Sequence, residues 1–146
     1  MSTSNQRIDP ILLLMIRLGR MVTSSMYNKL NKEDQHLMGP HMGVLSDLYQ
    51  KDGVRQQDLA ISSFKDKATI TRSLKLLERE ALVLRVADPI DKRTKRIYIT
   101  PKGRKVYQTI LPLGQEVIAE AKTGITDSEL EACAAVLQKM YNNLSK

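Results

Sequence analysis

Two groups of cations, about twenty residues apart, have the spacing to work on a polyanion. Arg72, Lys75 and Arg79 recur at intervals of three and four, so a helix would carry them on one face, with Ala68 and Thr69 a turn earlier. Lys92, Arg93, Lys95 and Arg96 follow the turn-favouring pair Asp88-Pro89. Ammonium and guanidinium groups neutralise phosphate, and a guanidinium fork beside a small hydroxyl can also hydrogen-bond the edges of bases. Both groups therefore suit a nucleic-acid duplex.

The elements that would hold these residues can be read from the same stretch, Asp66 to Gly103. Asp66 is suited to cap a helix, its carboxylate accepting from a free N–H of the first turn. Ile70, Leu74, Leu77 and Ala81 then make one narrow apolar stripe opposite the cationic face. Beyond it, 82–86 and 96–100 are rich in β-branched and aromatic residues, as strands are. The basic loop joins them into a hairpin. A cationic helix followed by a basic hairpin is the layout of a winged helix-turn-helix.

The distribution of charge agrees with that placement. The chain has 146 residues and a formal net charge of +7. Arg55 to Arg104 holds thirteen Lys and Arg against six Asp and Glu, and the rest of the chain holds ten of each. The whole excess sits in one stretch, which is expected to meet the polyanion. A surface charged for solubility alone would spread it.

Taken in order, Met1 to Gln6 is short and polar and is expected to fray. A first helix spans Asp9 or Pro10 to Leu30, and its N-terminal half is apolar on more than one face. Such a helix needs cover on several sides; a second subunit is the preferred provider, a central position in a monomer the alternative. Pro40 to Gln50 is a second helix ended by Asp52-Gly53, Val54 a short strand, and Arg55 to Ser62 a short helix with Leu59 and Ala60 buried. Ser62 to Lys65 is the turn before the cationic helix. Thr100-Pro101 opens a further helix, expected to bend near Pro112 and Gly114 and to stop at Gly124. Thr126 to Glu129 forms a capping box for the last helix, in which Leu130, Cys133, Val136, Leu137, Met140 and Leu144 are expected to be buried.

Asp91-x-Arg93-Thr94-x-x-Ile97-x-Ile99-Thr100-x-x-Gly103 resembles the wing signature of the MarR family of transcriptional regulators. Ala68-Thr69-Ile70-Thr71-Arg72, with Leu77-Glu78 and Leu82-Val83 after it, is similar to that family's recognition helix, and Asp58-Leu59-Ala60 to the start of the helix before it. The likeness extends to length and helix order. It implies a mainly α fold with a small β-hairpin wing: a winged helix-turn-helix lobe over about 36–104, flanked by dimerisation helices at about 8–30 and 105–146, all within a single domain over 1–146. The chain departs from the family where Leu-Gly-Val is usual, having Ser63-Phe64-Lys65; Phe64 would supply the missing apolar anchor.

On this reading Arg72 reads guanine and Arg93 enters a minor groove, where the potential over A·T-rich sequence is most negative. Asp91 is expected to accept from the Arg93 guanidinium and hold it in position; its other role is to shape the turn, and the two are compatible. Lys92, Lys95 and Arg96 meet phosphates, as do Arg55, Gln56 and Gln57 from the preceding helix. Lys67, Ala68, Thr69, Thr71, Lys75 and Arg79 complete the surface, with Ser73 at its flank. Leu76 stands near the exposed side, where packing against the wing is one use for it. Many relatives bind small phenolic or aromatic anions between dimer helices and lobe. Arg17 and Arg20 with His41 and Met42 could line such a cleft, or the arginines could pair with acids at a subunit junction.

Other chemistry finds little footing. His36 and His41 share no helical face, and a single cysteine completes no zinc set, so no metal or cofactor is expected. Cys133 between two alanines reads as a buried, inert thiol. No glycine-rich phosphate loop or nucleophile elbow is present. The apolar runs 11–16 and 132–137 are far short of the ~20 residues that span a bilayer, and the first is a poor signal peptide. The expectation is a cytoplasmic, non-enzymatic homodimer that binds a pseudo-palindromic operator in double-stranded DNA. It would act as a repressor released by an aromatic or phenolic anion. An architectural DNA-binding protein without effector and a winged-helix protein-interaction module are the alternatives.

Overall fold

The computed structural model describes residues 7–63 and 66–145. Among them run six helices, α1 Pro10–Lys29, α2 Pro40–Gln50, α3 Gln56–Ser63, α4 Lys67–Arg79, α5 Pro101–Ala121 and α6 Asp127–Leu144, with a 3-10 turn at Gln35–Leu37. Three short strands, β1 Val54–Arg55, β2 Val83–Ala87 and β3 Lys95–Ile99, make an antiparallel sheet in the order β1-β3-β2. This is the mainly helical winged helix-turn-helix expected, its hairpin widened by β1. The expectations for Met1 to Gln6 and for the Phe64 anchor fall outside the described residues.

Helix starts follow local capping chemistry. Asp9 accepts from Ile11 N at 2.8 Å ahead of Pro10. Thr100 accepts from Gly103 N at 2.9 Å ahead of Pro101. Thr126 and Glu129 cap each other's backbone N–H, completing the expected box. The helix α5 runs through Pro112 to Ala121 as one element.

Two boundaries correct the sequence reading. Helix α4 stops at Arg79, and Ala81, expected on its apolar stripe, is exposed with φ +60°. There Leu82 N donates to Leu77 O at 2.8 Å and Ala81 N to Glu78 O at 2.9 Å, a Schellman stop with alanine in the left-handed position usually given to glycine. The strands are 83–87 and 95–99 rather than 82–86 and 96–100, because Thr100 turns its side chain to cap α5. Its hydroxyl also donates to Ala81 O at 2.7 Å, fastening the end of α4 to the start of α5.

The core lies between α2, α4, the sheet and the first turns of α5, with Leu45, Leu48, Leu74, Leu77 and Ile97 all 0% exposed. Leu76 is half-buried against this same core, and Ser73 is buried, which takes it off the DNA-facing surface. Asp52, just past α2, binds three groups at once. Its Oδ1 accepts from Gly53 N at 3.0 Å and from Ile99 N at 2.9 Å, and its Oδ2 from Arg104 Nη2 at 3.0 Å.

Among the described residues, helices α1 and α6 have none that is fully buried. On α1, Leu14 is 64% and Met21 67% exposed, so the described residues of this chain do not supply the cover expected. On α6 the expected burial is corrected among the described residues: Leu130 and Met140 are half-buried, while Cys133, Val136, Leu137 and Leu144 are exposed.

Candidate nucleic-acid interface

The N-terminal turn of α4 is built on Asp66. Its Oδ1 accepts from Thr69 N and its Oδ2 from Thr69 Oγ1, both at 2.8 Å, and these bonds, the backbone one first, hold its carboxyl below the usual range. Thr69 Oγ1 in turn accepts from Arg72 Nη2 at 3.3 Å, steering that guanidinium along the helix. Lys67, Ala68, Arg72, Lys75 and Arg79 are exposed; Thr69 and Thr71 are half-buried. Thr71 Oγ1 donates to Lys67 O at 2.8 Å and accepts from Gln56 Nε2 at 3.0 Å, which ties α4 to the first turn of α3. At the same turn Arg55 pairs with Asp58 at 3.0 Å.

The wing is organised by Asp88, a residue that charge-counting along the chain passed over. Its buried carboxylate accepts from Ile90 N at 2.8 Å, from Asp91 N at 3.1 Å and from Arg96 Nε. The two backbone N–H groups, Asp91 first, and then Arg96 pull its pKa down to about 2. Arg96 is held there, its Nη1 also donating to Gly53 O at 2.8 Å, so the guanidinium expected at a phosphate is also a bolt between the wing and the β1 turn. For Asp91 the preferred role is corrected and the turn-shaping one holds. It accepts from the backbone N of Arg93 and from Thr94 Oγ1, each at 3.1 Å, so it shapes the turn and leaves the Arg93 guanidinium free. Lys92, Arg93 and Lys95 are exposed and form no ion pair among the described residues.

These parts converge. A cleft of about 470 Å³ is lined by Arg55, Gln56 and Gln57 from the start of α3, Lys67 and Ile70 from the start of α4, and Arg93, Thr94 and Lys95 from the wing. Thr94, absent from the sequence-based set, lines it because Asp91 turns the loop there. Two helix starts and the wing thus share one cationic hollow, as a surface gripping a phosphate backbone requires.

The MarR family model matches residues 39–95, which span α2 to the start of β3. Transcriptional regulator HosA of Escherichia coli is 30% identical over 106 residues, 73% of this chain and 78% of HosA. The chain belongs to the MarR family. YybA of Bacillus subtilis, an uncharacterised HTH-type transcriptional regulator, is 29% identical over 99 residues, 68% of this chain and just under two thirds (66%) of YybA. The crystal structure of a MarR-family regulator from Silicibacter pomeroyi matches with a TM-score of 0.76 at 32% identity, over 92% of this chain and 89% of that one. Like its relatives, this MarR protein is a DNA-binding transcriptional regulator and not an enzyme.

A second hollow of about 340 Å³ lies between α1, α2 and α5, lined by Met26, Met38, Met42, Ser46, Tyr107, Ile110 and Gly114 among others. Its polar floor is the Ser46 Oγ–Tyr107 Oη pair at 3.0 Å. Of the four residues expected in a ligand cleft only Met42 lines it. Arg20 borders a separate shallow hollow on α1, and Arg17 is exposed elsewhere on that helix. His41 turns toward the end of α4, where burial and then His36 lower its pKa, and where His36 Nε2 pairs with Glu80 at 2.7 Å. Ser46 and Tyr107 carry no sequence signal of a site, since only the fold brings them together. Among the described residues no group of His, Cys, Asp or Glu is placed to hold a metal, and no helix is long and apolar enough to cross a membrane.

Proposed function

We propose that this MarR-family protein is a homodimeric repressor that reads a pseudo-palindromic operator in double-stranded DNA. The observation that carries the reading is the shared cationic cleft, where the wing closes on the N-terminal ends of α3 and α4 while Arg72, Lys75 and Arg79 stay exposed along α4. Helix α4 lies in a major groove, with Arg72 presented to guanine by Thr69. Arg93 enters the adjoining minor groove, and Lys92, Lys95, Lys67 and Arg55 meet phosphates. The uncovered apolar faces of α1 and α6 pair two chains, so that two lobes meet successive grooves about one helical turn apart.

Control by a small aromatic or phenolic ligand belongs to the same reading. The methionine-lined hollow between α1, α2 and α5 offers an adaptable apolar slot with two hydroxyls at its floor. In BpsR of Bordetella bronchiseptica, a protein of this fold, DNA binding is regulated by 6-hydroxynicotinic acid. A ligand here lowers affinity by favouring a lobe spacing that no longer fits the groove repeat. The test is selection of bound genomic fragments, followed by footprinting with and without hydroxylated aromatic acids. A symmetric footprint shortened by such a compound is expected. Uniform coverage of any duplex would overturn the operator reading, and a ligand-insensitive footprint the effector.

A further inference from the structure

We propose that Gln56, with Arg85 and Thr71, is a positioning residue that sets the angle between the recognition helix and the wing: Gln56 lines the cationic cleft, but protein holds both ends of its amide, so it acts through these bonds and not as the phosphate contact expected of it. The chain of bonds begins and ends on α4. Thr71 Oγ1 accepts from Gln56 Nε2 at 3.0 Å; Gln56 Oε1 accepts from Arg85 Nη1 at 3.2 Å; Arg85 Nε donates to Glu78 Oε1. Thr71 and Glu78 are seven residues apart, two turns, and so lie on one side of α4. The closed ring therefore crosses from α4 to α3 to β2 and back.

Its residue types suit the ring. Arginine only donates, so the glutamine oxygen must face Arg85, which leaves its NH2 for the threonine oxygen; the reverse placement would set donor against donor. Thr71 can accept because its own proton goes to Lys67 O at 2.8 Å. Arg85 sits on the wing strand with a side chain only 27% exposed and one arm on each partner, so its fork is spent inside the protein. The outward cations of the wing lie at its tip, seven or more residues further along. The ring links the two parts that must reach different grooves together.

The proposal rests on the docking reading above, and its test separates the two. Duplex binding and backbone amide exchange are measured for Thr71→Val, Gln56→Ala and Arg85→Met, with Thr71→Ser as the variant that keeps the hydroxyl. Each of the first three is expected to lose about three- to tenfold in operator affinity; in Arg85→Met, whose residue lies outside the DNA-facing set, random-duplex affinity and the salt slope should stay unchanged. The double variant T71V/R85M should lose no more than the weaker single one, and T71S almost nothing. In the DNA-free protein the same three changes should speed exchange in β2. A salt slope flattened by about one in R85M would make Arg85 a phosphate contact, and unchanged exchange in β2 would mean that no clamp exists. Faster exchange in β2, in a protein that binds no duplex, would leave the clamp standing and sink the docking reading instead.

Discussion

The carbonyl oxygen of Leu82 lies 2.2 Å from where a Cβ on Gly103 would stand, and that oxygen already accepts Thr100 N at 3.0 Å. The last two positions of the wing signature, Thr100 and Gly103, are therefore about fastening rather than DNA: the first turn of α5 presses against the loop leaving α4. Gly103→Ala is expected to destabilise the fold by at least about 2 kcal/mol in chemical denaturation, since backbone would have to give way. Gly114→Ala is the control: its Cβ meets only the mobile end of Met26, at 3.1 Å, and should be nearly neutral.

Ala81 sits at φ +60° without needing a side chain there. Ala81→Gly should relieve that strain and stabilise the protein by about 0.5–1 kcal/mol, less whatever the freer unfolded chain takes back. A melting temperature that fell would contradict the Schellman stop.

Asp88 supplies the pH dependence of the wing. Its folded pKa, about 2, is below the usual value of 3.8, so it stabilises the folded state above about pH 4, and that contribution is lost as pH falls from there through about 2. Stability followed across that window should decline in the native protein. The decline should be shallower in Asp88→Asn, which is expected to start from lower stability at pH 7 because Arg96 loses its partner.

The exposed cations divide by what they read. Arg93→Ala should weaken operator and random duplex alike and reduce the salt slope by about one. Arg72→Ala should instead narrow the gap between them by ~1–3 kcal/mol. Arg96→Ala should lower stability first, since its guanidinium is held by Asp88 and Gly53.

Leu14→Glu on α1 or Leu137→Glu on α6 places a charge in an apolar stripe that the chain leaves uncovered. Sedimentation should show these variants as single chains at concentrations where the parent is paired, with operator affinity falling in step. A paired L137E variant would move the interface off α6.

Much of this was legible in the sequence because it is local. Asp9-Pro10, Asp66, Thr100-Pro101 and Thr126 to Glu129 each cap a helix with partners two or three residues away, and the hairpin follows from two β-branched runs. What the sequence left unseen shares a cause. Counting cations along the chain could not see that Arg96 is taken by Asp88 eight residues back and by Gly53 in another turn, nor that the Asp91 carboxylate serves the backbone of its own loop. Ala81 suited a helical stripe in composition, and only the approach of Leu82 to Thr100 shows why the chain must turn there. The slot at Ser46 and Tyr107 joins residues 61 positions apart, a separation at which spacing carries no information.

Asp52 has a mechanical consequence. One carboxylate grips the last residue of β3 and, through Arg104, the first turn of α5, a helix that runs 21 residues in all and carries Tyr107 and Ile110. That rod is about 30 Å long. Asp52 thus joins the base of that rod to the strand that carries Lys95.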